Sequence, residues 1–321
     1  MGGGGDGARR ITFERIEAAA KAIPPVFRET PQYVCEPLAA ALRAALTLKV
    51  ETANPIRSFK GRGASWLVAN LAGREPLMCA SAGNFGQAMA WACRAAGVPL
   101  TVYAGVHANP LKLERMRAMG AAVVLAGEDF DAAKAEGKRV AAARGVRFVE
   151  DSRDPEPTEG AGTIGLELVA AGMLDAVVVP LGNGAMLAGV ATALRALQPE
   201  ARIVAVQADG AAAMTESLQS GRRVVHDRVE TIADGIGVRV PVPEALADLE
   251  GLVDEFLLVD DATIVAAMKL LFAHAGLVAE PSGAVGVAAL LAHPARFAGA
   301  RVATVVCGGN LTPEQARAWL G

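Results

Sequence analysis

The sequence predicts an α/β protein of two domains, each a mostly parallel, twisted sheet flanked by helices. Three observations support this prediction. The chain has 321 residues, which exceeds the usual size of one domain. Short runs rich in Val, Ile and Ala have the length of strands, and segments with helical spacing lie between them. A strand followed by a helix, repeated along the chain, is typical of right-handed βαβ units and a parallel sheet.

The predicted strands are short and almost continuously apolar, as in parallel strands covered on both faces. They span residues 122–125, 176–179, 203–206 and 302–306. The clearest predicted helices span residues 85–96, 111–119, 131–144, 162–171, 186–197 and 262–275. We predict a small domain over residues 71–153 and a large domain formed by residues 1–70 and 154–321. The polar, proline-containing segment 151–159 is expected to carry the chain back to the large domain.

The composition excludes several classes of protein. Apolar residues make up 52% of the chain, which excludes a disordered protein. The net charge of -3 lacks the basic excess of a nucleic-acid-binding protein, so the expected partner is a small molecule. The uncharged stretch 176–194 holds Pro180, Asn183 and three glycines. It therefore predicts a strand, a loop and a helix start, and no membrane span.

The N-terminus and the cysteines predict a cytoplasmic location. Residues 1–10 are glycine-rich and polar and lack the apolar core of a signal peptide, so we expect a disordered tail. The four cysteines form no Cys-x-x-Cys pair and have no histidine at ligand spacing. Neither a disulfide scaffold nor a zinc site is therefore expected.

Two glycine-rich segments follow strand-like runs and open helices. The segment 81–87 (Ser-Ala-Gly-Asn-Phe-Gly-Gln) places backbone N–H groups at a helix start, which suits a carboxylate. The segment 182–189 (Gly-Asn-Gly-Ala-Met-Leu-Ala-Gly) suits a phosphate group for the same reason. It has neither the glycine spacing of a dinucleotide fingerprint nor the Lys-Ser/Thr of a Walker loop. A plain strand-to-helix turn would give either segment a similar composition, so neither is decisive alone.

Further glycines occur at Gly235 and at Gly308 with Gly309, the latter pair directly after the strand predicted at 302–306. Open α/β sheets bind ligands at the carboxyl ends of their strands. Several such loops in one chain predict that they converge on one ligand.

Lys60 has unusual neighbours for a lysine. Most lysines are solvated surface groups, but Lys60 follows Phe59 and is flanked by Gly61 and Gly63. A lysine withdrawn from water is the group that forms Schiff bases with carbonyl compounds. Lys60 is therefore the candidate catalytic residue.

The order of these motifs resembles that of the fold type II pyridoxal-phosphate enzymes, the tryptophan-synthase-β-like superfamily. Within that superfamily the chain is most similar to threonine/serine dehydratases and serine racemases. The matching segments are 54–64 (Asn-Pro-Ile-Arg-Ser-Phe-Lys-Gly-Arg-Gly-Ala), 81–87, 182–189, 231–235 (Thr-Ile-Ala-Asp-Gly), 280–284 (Glu-Pro-Ser-Gly-Ala) and 307–310 (Cys-Gly-Gly-Asn). The resemblance implies pyridoxal 5'-phosphate held in the cleft between the two domains, with the large domain binding the cofactor. It also implies an amino-acid substrate and a homodimer.

The resemblance further implies a role for each matching residue. Lys60 would hold the cofactor as a Schiff base and act as the base at the substrate Cα. Phe59 and Gly235 would lie against the cofactor, Glu280 would face the site, and Cys307 would meet the pyridine nitrogen. The phosphate would be held by backbone N–H groups of Gly182, Asn183, Gly184, Ala185 and Met186. The substrate would be held by Ser81, Ala82, Gly83, Asn84 and Phe85, with Asn84 also bonding the ring hydroxyl.

Cys307 favours an elimination reaction. A thiol is a neutral partner for the pyridine nitrogen, so the cofactor is a weaker electron sink than it would be beside a carboxylate. A long-lived carbanion is then disfavoured. Loss of the hydroxyl from L-serine or L-threonine, giving a 2-oxo acid and ammonia, fits better. The alternative for Cys307 is the common one for a free cysteine, a small buried apolar residue.

Several positions depart from the dehydratase pattern and leave alternatives open. Leu181 and Asn183 stand where dehydratases usually carry glycines, and similar loops occur in threonine synthases. A threonine-synthase-like or β-replacement transferase is therefore the alternative function. Ala82 stands where serine racemases place a second acid/base, which makes an amino-acid racemase less favoured. Phe85 replaces a common histidine and predicts a pocket shaped for a different amino acid.

The family's divalent-cation site is not expected in this chain. Its two carboxylates correspond to Gln207 and Ala213 here, and hard cations need charged oxygen ligands. Asp209 lies nearby and would replace them only in part.

Overall fold

Ten β-strands form two sheets in residues 9–321, the part of the chain that this computed structural model describes. They are β1 (Gln32–Val34), β2 (Ala45–Val50), β3 (Leu77–Ala80), β4 (Leu100–Ala104), β5 (Ala122–Leu125), β6 (Arg147–Val149), β7 (Ala176–Pro180), β8 (Arg202–Ala208), β9 (Glu255–Val259) and β10 (Arg301–Val306). One sheet has the order β1-β2-β10-β7-β8-β9 and the other the order β5-β4-β3-β6. Only β1 and β2 pair antiparallel within these sheets. The predicted α/β fold with mostly parallel sheets is confirmed.

Thirteen α-helices of the described residues flank the two sheets. They are α1 (Phe13–Ala22), α2 (Glu36–Leu42), α3 (Lys60–Ala69), α4 (Asn84–Ala96), α5 (Pro110–Ala118), α6 (Phe130–Arg144), α7 (Pro155–Ala170), α8 (Ala185–Leu197), α9 (Ala213–Ser220), α10 (Pro243–Leu249), α11 (Asp261–Ala275), α12 (Pro281–Ala292) and α13 (Pro313–Leu320). Five of the six predicted helices begin one residue before the predicted start. The predictions relied on apolar residues at helical spacing, and the first residue of a helix need not be part of that pattern.

The central strands of the six-stranded sheet are covered on both faces. In β7, Val177 and Val179 pack in one apolar cluster with residues of α7 and α8. Val178, between them, packs in another cluster with residues of α11 and α12. Successive side chains of a strand point to opposite faces, so a fully apolar run supplies both cores at once.

The strand β5 corrects one expectation from the sequence. An apolar run at 122–125 predicted a strand buried on both faces, but β5 is the edge strand of the smaller sheet. Val124 is 38% exposed and Leu125 is 45% exposed. A short apolar run does not show whether its strand has a neighbour on both sides, because that depends on the order of strands in the sheet.

Helix α7 corrects a second expectation. The segment 151–159 was predicted to be a connection, but α7 already begins at Pro155. Proline is favoured at the first helical position, because the N–H that it lacks would have no partner there. Pro157, Thr158 and Glu159 are then buried in the first turns of the helix. The polar residues of this segment therefore lie in the buried first turns of α7.

Helices α7 and α8 approach each other so closely that a glycine is required at the contact. A Cβ added at Gly189 would lie 2.2 Å from the carbonyl oxygen of Thr158 and 2.6 Å from the nitrogen of Gly162. Both neighbours are backbone atoms in helix α7. The close approach lets the two helices pack side by side against the same face of the sheet.

We expect Gly189→Ala to destabilise the fold by about 1–3 kcal/mol, because the new methyl group forces the two helices apart. Thermal unfolding followed by circular dichroism measures the effect as a lower Tm. Gly73→Ala is the control, since its Cβ would meet only the mobile carboxylate end of Glu75. An unchanged Tm for Gly189→Ala would contradict the contact described here.

Several expectations concern the chain as a whole. The strands of the smaller sheet lie between Leu77 and Val149, and those of the larger sheet come from both sides of that segment. The predicted domain limits, 1–70 with 154–321 and 71–153, stay a prediction. Residues 1–8 of the predicted tail lie outside the described residues. In residues 9–321, no helix has both the length and the apolarity needed to cross a membrane.

Candidate active site

A cavity of about 470 Å³ lies where the carboxyl ends of strands from both sheets face each other. Residues that follow β3, β7 and β10 line it, together with the start of α3. The structure brings nearly all the predicted site residues to this cavity: Phe59, Lys60, Ser81, Ala82, Gly83, Asn84, Phe85, Gly182, Asn183, Gly184, Met186, Gly235, Glu280 and Cys307. Ala185 is buried as the first residue of α8 and does not line the cavity. The individual roles stay predictions.

The start of α8 offers a site for an anion. Its N-cap, Gly184, has φ 100°, a left-handed conformation that glycine adopts without strain. The N-cap makes no side-chain hydrogen bond to the helix, and Asn183 Oδ1 accepts a long bond of 3.4 Å from the Ala185 N–H. The first backbone N–H groups of a helix have no acceptor within it, and the helix dipole favours negative charge there. The loop therefore fits a phosphate group.

The start of α4 offers a second anion site in the same cavity. Its N-cap is Gly83, and no side chain of residues 9–321 caps the helix. Ser81 Oγ accepts a hydrogen bond from the Gly83 N–H at 3.1 Å, which stabilises the turn. A Cβ added at Gly83 would meet nothing within 4 Å, so this backbone faces open space. The arrangement fits the carboxylate of a small ligand.

Lys60 is the first residue of α3, and its side chain reaches the cavity. Its Nζ lies 2.5 Å from Asp151 Oδ2 and 4.7 Å from the centre of the Phe59 ring. The Phe59 N–H donates a hydrogen bond of 3.0 Å to the carbonyl oxygen of Cys307, which joins the start of α3 to the end of β10. Lys60 therefore lies where the start of α3 meets the loop after β10.

Asn54 explains the residues that precede Lys60 in the motif. Its Oδ1 accepts from the N–H groups of Ile56 at 3.1 Å and Ser58 at 3.3 Å. Its Nδ2 donates to the carbonyl oxygens of Glu51 at 2.7 Å and Ser58 at 3.1 Å. One amide therefore holds both ends of the turn, and it sets the direction in which the chain enters α3.

A buried ion network anchors α3 just beyond Lys60. Arg62 is 0% exposed and donates two hydrogen bonds of 2.8 Å to Glu51 and bonds of 2.6 and 2.9 Å to Glu167. Lys49 Nζ lies 2.5 Å from Glu167 Oε2. Burial disfavours the charge, but Glu51 and Glu167 hold the pKa of Arg62 above its ordinary value. Two cations balance two carboxylates, so the network is neutral as a whole.

Glu280 ties the loop after β3 to the loop after β10. Its Oε1 accepts from Asn84 Nδ2 at 2.7 Å, and its Oε2 accepts from the Asn310 N–H at 3.0 Å. The Asn310 side chain also donates to Asn84 Oδ1 at 2.8 Å. Burial, followed by repulsion from Asp234, raises the pKa of Glu280 above its ordinary value. Glu280 therefore keeps its proton to a higher pH than a solvated carboxyl group does.

Cys307 lies in the cavity wall with its thiol buried. Burial, reinforced by the nearby Glu280, raises the pKa of the thiol far above its ordinary value. The group is therefore neutral at physiological pH, as the sequence argument required. Sγ lies 3.5 Å from the carbonyl oxygen of Ser282. The Ser282 hydroxyl is buried in the same wall and has no hydrogen-bond partner in residues 9–321.

These features fit the cofactor that the resemblance implies. The α8 start suits a phosphate, Lys60 suits an aldehyde carbon, and Cys307 suits a ring nitrogen as a neutral neighbour. The free Ser282 hydroxyl is the kind of buried polar atom that a ligand satisfies. The cavity is therefore suited to pyridoxal phosphate together with a small carboxylate ligand.

Sequence reasoning missed three charged residues of the cavity: Asp151, Lys112 and Asp234. Lys112 Nζ lies 3.0 Å from Asp234 Oδ2, which links α5 to the loop before α10. Asp151 follows β6 closely, in the same parallel sheet where Ser81 follows β3. The rule for strand ends would have found Asp151, but β6 is only three residues long and was not predicted.

The structure places no metal ligands at the position of the family's divalent-cation site. Gln207 is buried, and its Oε1 accepts from the Thr215 N–H at 3.1 Å. The described residues contain no group of three or more His, Cys, Asp or Glu side chains arranged to hold a metal ion. The four cysteines are free and buried.

The chain is similar in sequence and in fold to known pyridoxal-phosphate dependent enzymes. Residues 23–308 match the family described as pyridoxal-phosphate dependent enzyme. The chain is 35% identical over 305 residues to the L-threonine ammonia-lyase of Thermotoga maritima, covering 94% of this chain and 76% of that protein. A solved structure of threonine deaminase isoform 2 from Solanum lycopersicum has a TM-score of 0.87 at 29% identity, covering 97% of this chain and 94% of that one. Maize serine racemase has a TM-score of 0.88 at 28% identity, covering 94% and 96%.

Proposed function

Because the chain belongs to the family of pyridoxal-phosphate dependent enzymes, we propose that it is an ammonia-lyase acting on L-threonine or L-serine. It catalyses β-elimination with pyridoxal 5'-phosphate as cofactor and releases a 2-oxo acid and ammonia. One observation supports this proposal above the others. Lys60 reaches a cavity that also holds two helix starts with glycine at the N-cap, one suited to a phosphate and the other to a carboxylate.

Different residues of the cavity have different roles in this reaction. When bound, pyridoxal phosphate withdraws electrons from the substrate Cα and so makes its hydrogen acidic. The start of α8 holds the phosphate, and the start of α4 holds the substrate carboxylate. Lys60 Nζ takes the proton from Cα. Asn84, itself held by Glu280 and Asn310, orients the ring.

Two features support elimination over racemisation. The thiol of Cys307 is neutral, which disfavours a long-lived carbanion. The Ala82 side chain carries no proton, so it does not serve as a second acid/base from the substrate's other face. Asn183 in the phosphate loop supports the alternative function, a threonine-synthase-like or β-replacement transferase.

We expect the purified, cofactor-loaded protein to release 2-oxo acid and ammonia from L-threonine, L-serine or both. Both products are measured in the same reaction, and L-alanine, which has no β-substituent to lose, is the control. Release of neither product, with the absorbance of the bound cofactor still changing as each amino acid is added, would contradict the lyase. That outcome would favour the transferase, and a second nucleophilic substrate would then be required for turnover.

We further propose a homodimer located in the cytoplasm. The strand β1 at the edge of the larger sheet supports an assembly, because Tyr33 is 40% exposed and Val34 is 52% exposed. The free, buried cysteines agree with a reducing compartment. Light scattering coupled to size-exclusion chromatography measures the mass, and a mass of one chain would contradict the dimer.

A further inference from the structure

Asp151 lies between the candidate base and the phosphate loop. Its Oδ2 is 2.5 Å from Lys60 Nζ and accepts a hydrogen bond of 2.6 Å from Asn183 Nδ2. Its Oδ1 is buried without a hydrogen-bond partner in the described part of the chain. Asp151 lines the active-site cavity and also a neighbouring cavity of about 570 Å³.

Asp151 forms an ion pair with Lys60, and the Asn183 amide is its second partner in residues 9–321. The Asp151 side chain is only 13% exposed, so little water surrounds the carboxyl group. Lys60 acts as the base at Cα when it is not linked to the cofactor, and its nitrogen then faces Asp151 across the 2.5 Å contact. A proton that Lys60 takes from the substrate therefore has a direct route to Asp151.

The other two carboxyl groups of the cavity, Glu280 and Asp234, already have partners. Glu280 accepts hydrogen bonds at both of its oxygens, from Asn84 and Asn310. Asp234 pairs with Lys112 and is 62% exposed. Asp151 differs from both because it contacts the nitrogen that takes the substrate's proton and has an oxygen left over. Asp151 therefore places an unpartnered carboxyl oxygen next to the reacting atoms.

Resting on the proposed function, we propose that Asp151 is the acid that protonates the departing β-hydroxyl group. The Cα–H bond breaks, its proton passes to Lys60 Nζ, and its electron pair forms the Cα–Cβ double bond. The Lys60 ammonium passes that proton to the Asp151 carboxylate across their 2.5 Å contact. The Cβ–O bond breaks, and the oxygen keeps the Cβ–O electron pair and takes the proton from Asp151 to leave as water. Lys60 and Asp151 are then in the states from which they began, and the substrate has lost one molecule of water.

The test compares two leaving groups. Hydroxide needs a proton to leave, whereas the chloride of β-chloro-L-alanine does not. We expect Asp151→Asn to lower kcat for L-serine by about 100-fold or more, the usual effect of losing a general acid, and to change kcat for β-chloro-L-alanine little. Asp227→Asn is the matched control, because Asp227 is exposed and lines only the neighbouring cavity.

Two further measurements separate chemistry from damage to the site. Borohydride reduction followed by peptide mass spectrometry should find the cofactor on Lys60 in Asp151→Asn to the same extent as in the unaltered protein. In Asp151→Ala, added formate should restore part of the turnover of L-serine, because it supplies a carboxyl group in the vacated space. Lost cofactor, or no rescue in a protein that retains it, would argue for a structural role and overturn the proposal.

The outcomes for Asp151 and for the function are distinct. Equal losses with L-serine and β-chloro-L-alanine, or no loss with either, would overturn the role of Asp151 while the unaltered protein still turns both over. If the unaltered protein releases no 2-oxo acid from L-serine or L-threonine, the proposed function and this inference fail together.

Discussion

Replacing Lys60 by alanine is expected to abolish the covalent cofactor and lower turnover by at least about 1,000-fold, because both the covalent anchor and the base at Cα are lost. Lys60 is the lysine that the motif and the cavity both single out, although Lys112 also lines the cavity. The phosphate site at the start of α8 is untouched by this substitution. Cofactor should therefore still bind, but more weakly and without the absorbance band of the linkage to protein.

Two measurements check this expectation. Absorbance spectra of the loaded protein report the linkage, and release of 2-oxo acid reports turnover. Lys269→Ala is the control, because Lys269 is exposed on α11 and, within residues 9–321, donates only to the carbonyl oxygen of Gly321. A band that is unchanged in Lys60→Ala would show that another lysine carries the cofactor, and Lys112 would be the next one to replace.

Replacing Arg62 by methionine is expected to destabilise the fold by about 3–5 kcal/mol, because one cation is removed from a buried network and both of its carboxylates remain. Arg62 is fully buried between Glu51 and Glu167. Methionine fills part of the space but offers no hydrogen-bond donor to either carboxylate. Glu167 keeps its ion pair with Lys49, so Glu51 is the carboxylate that is left without a cation.

Denaturant unfolding followed by fluorescence measures the loss in the free energy of unfolding. Arg317→Met is the matched control, since Arg317 is exposed and pairs only with Glu314 in the described residues. The double variant Arg62→Met with Glu51→Gln should recover part of the loss, because it removes the stranded charge. A free energy of unfolding equal to that of the control would show that the network does not anchor α3.

The sequence predicted six of the thirteen helices and four of the ten strands in residues 9–321. The helices α4, α5, α6, α8 and α11 have stripes long enough to recognise, and their predicted starts differ by one residue from those observed. Among the strands that were not predicted, β1 and β6 are each only three residues long. A strand is stabilised by its neighbours in the sheet, so a short one leaves little periodic signal of its own.

Asp151 shows why part of the site was missed. The glycine loops and Lys60 can be recognised from their immediate neighbours in the sequence. Asp151 lies 91 residues from Lys60, in a segment that had been interpreted as a connection. Nothing in the residues around it shows that its carboxylate lies beside an ammonium.

The amino-acid sequence alone predicted the class of fold, the family and the loops that form the cavity. Each of these depends on local patterns: apolar runs that form strands, glycines that open helices, and motifs in a fixed order. The three-dimensional structure was needed to show which groups touch, such as Lys60 with Asp151 and Asn84 with Glu280, 196 residues apart. Those contacts depend on how the two sheets and their helices pack, and packing is a property of distant segments together.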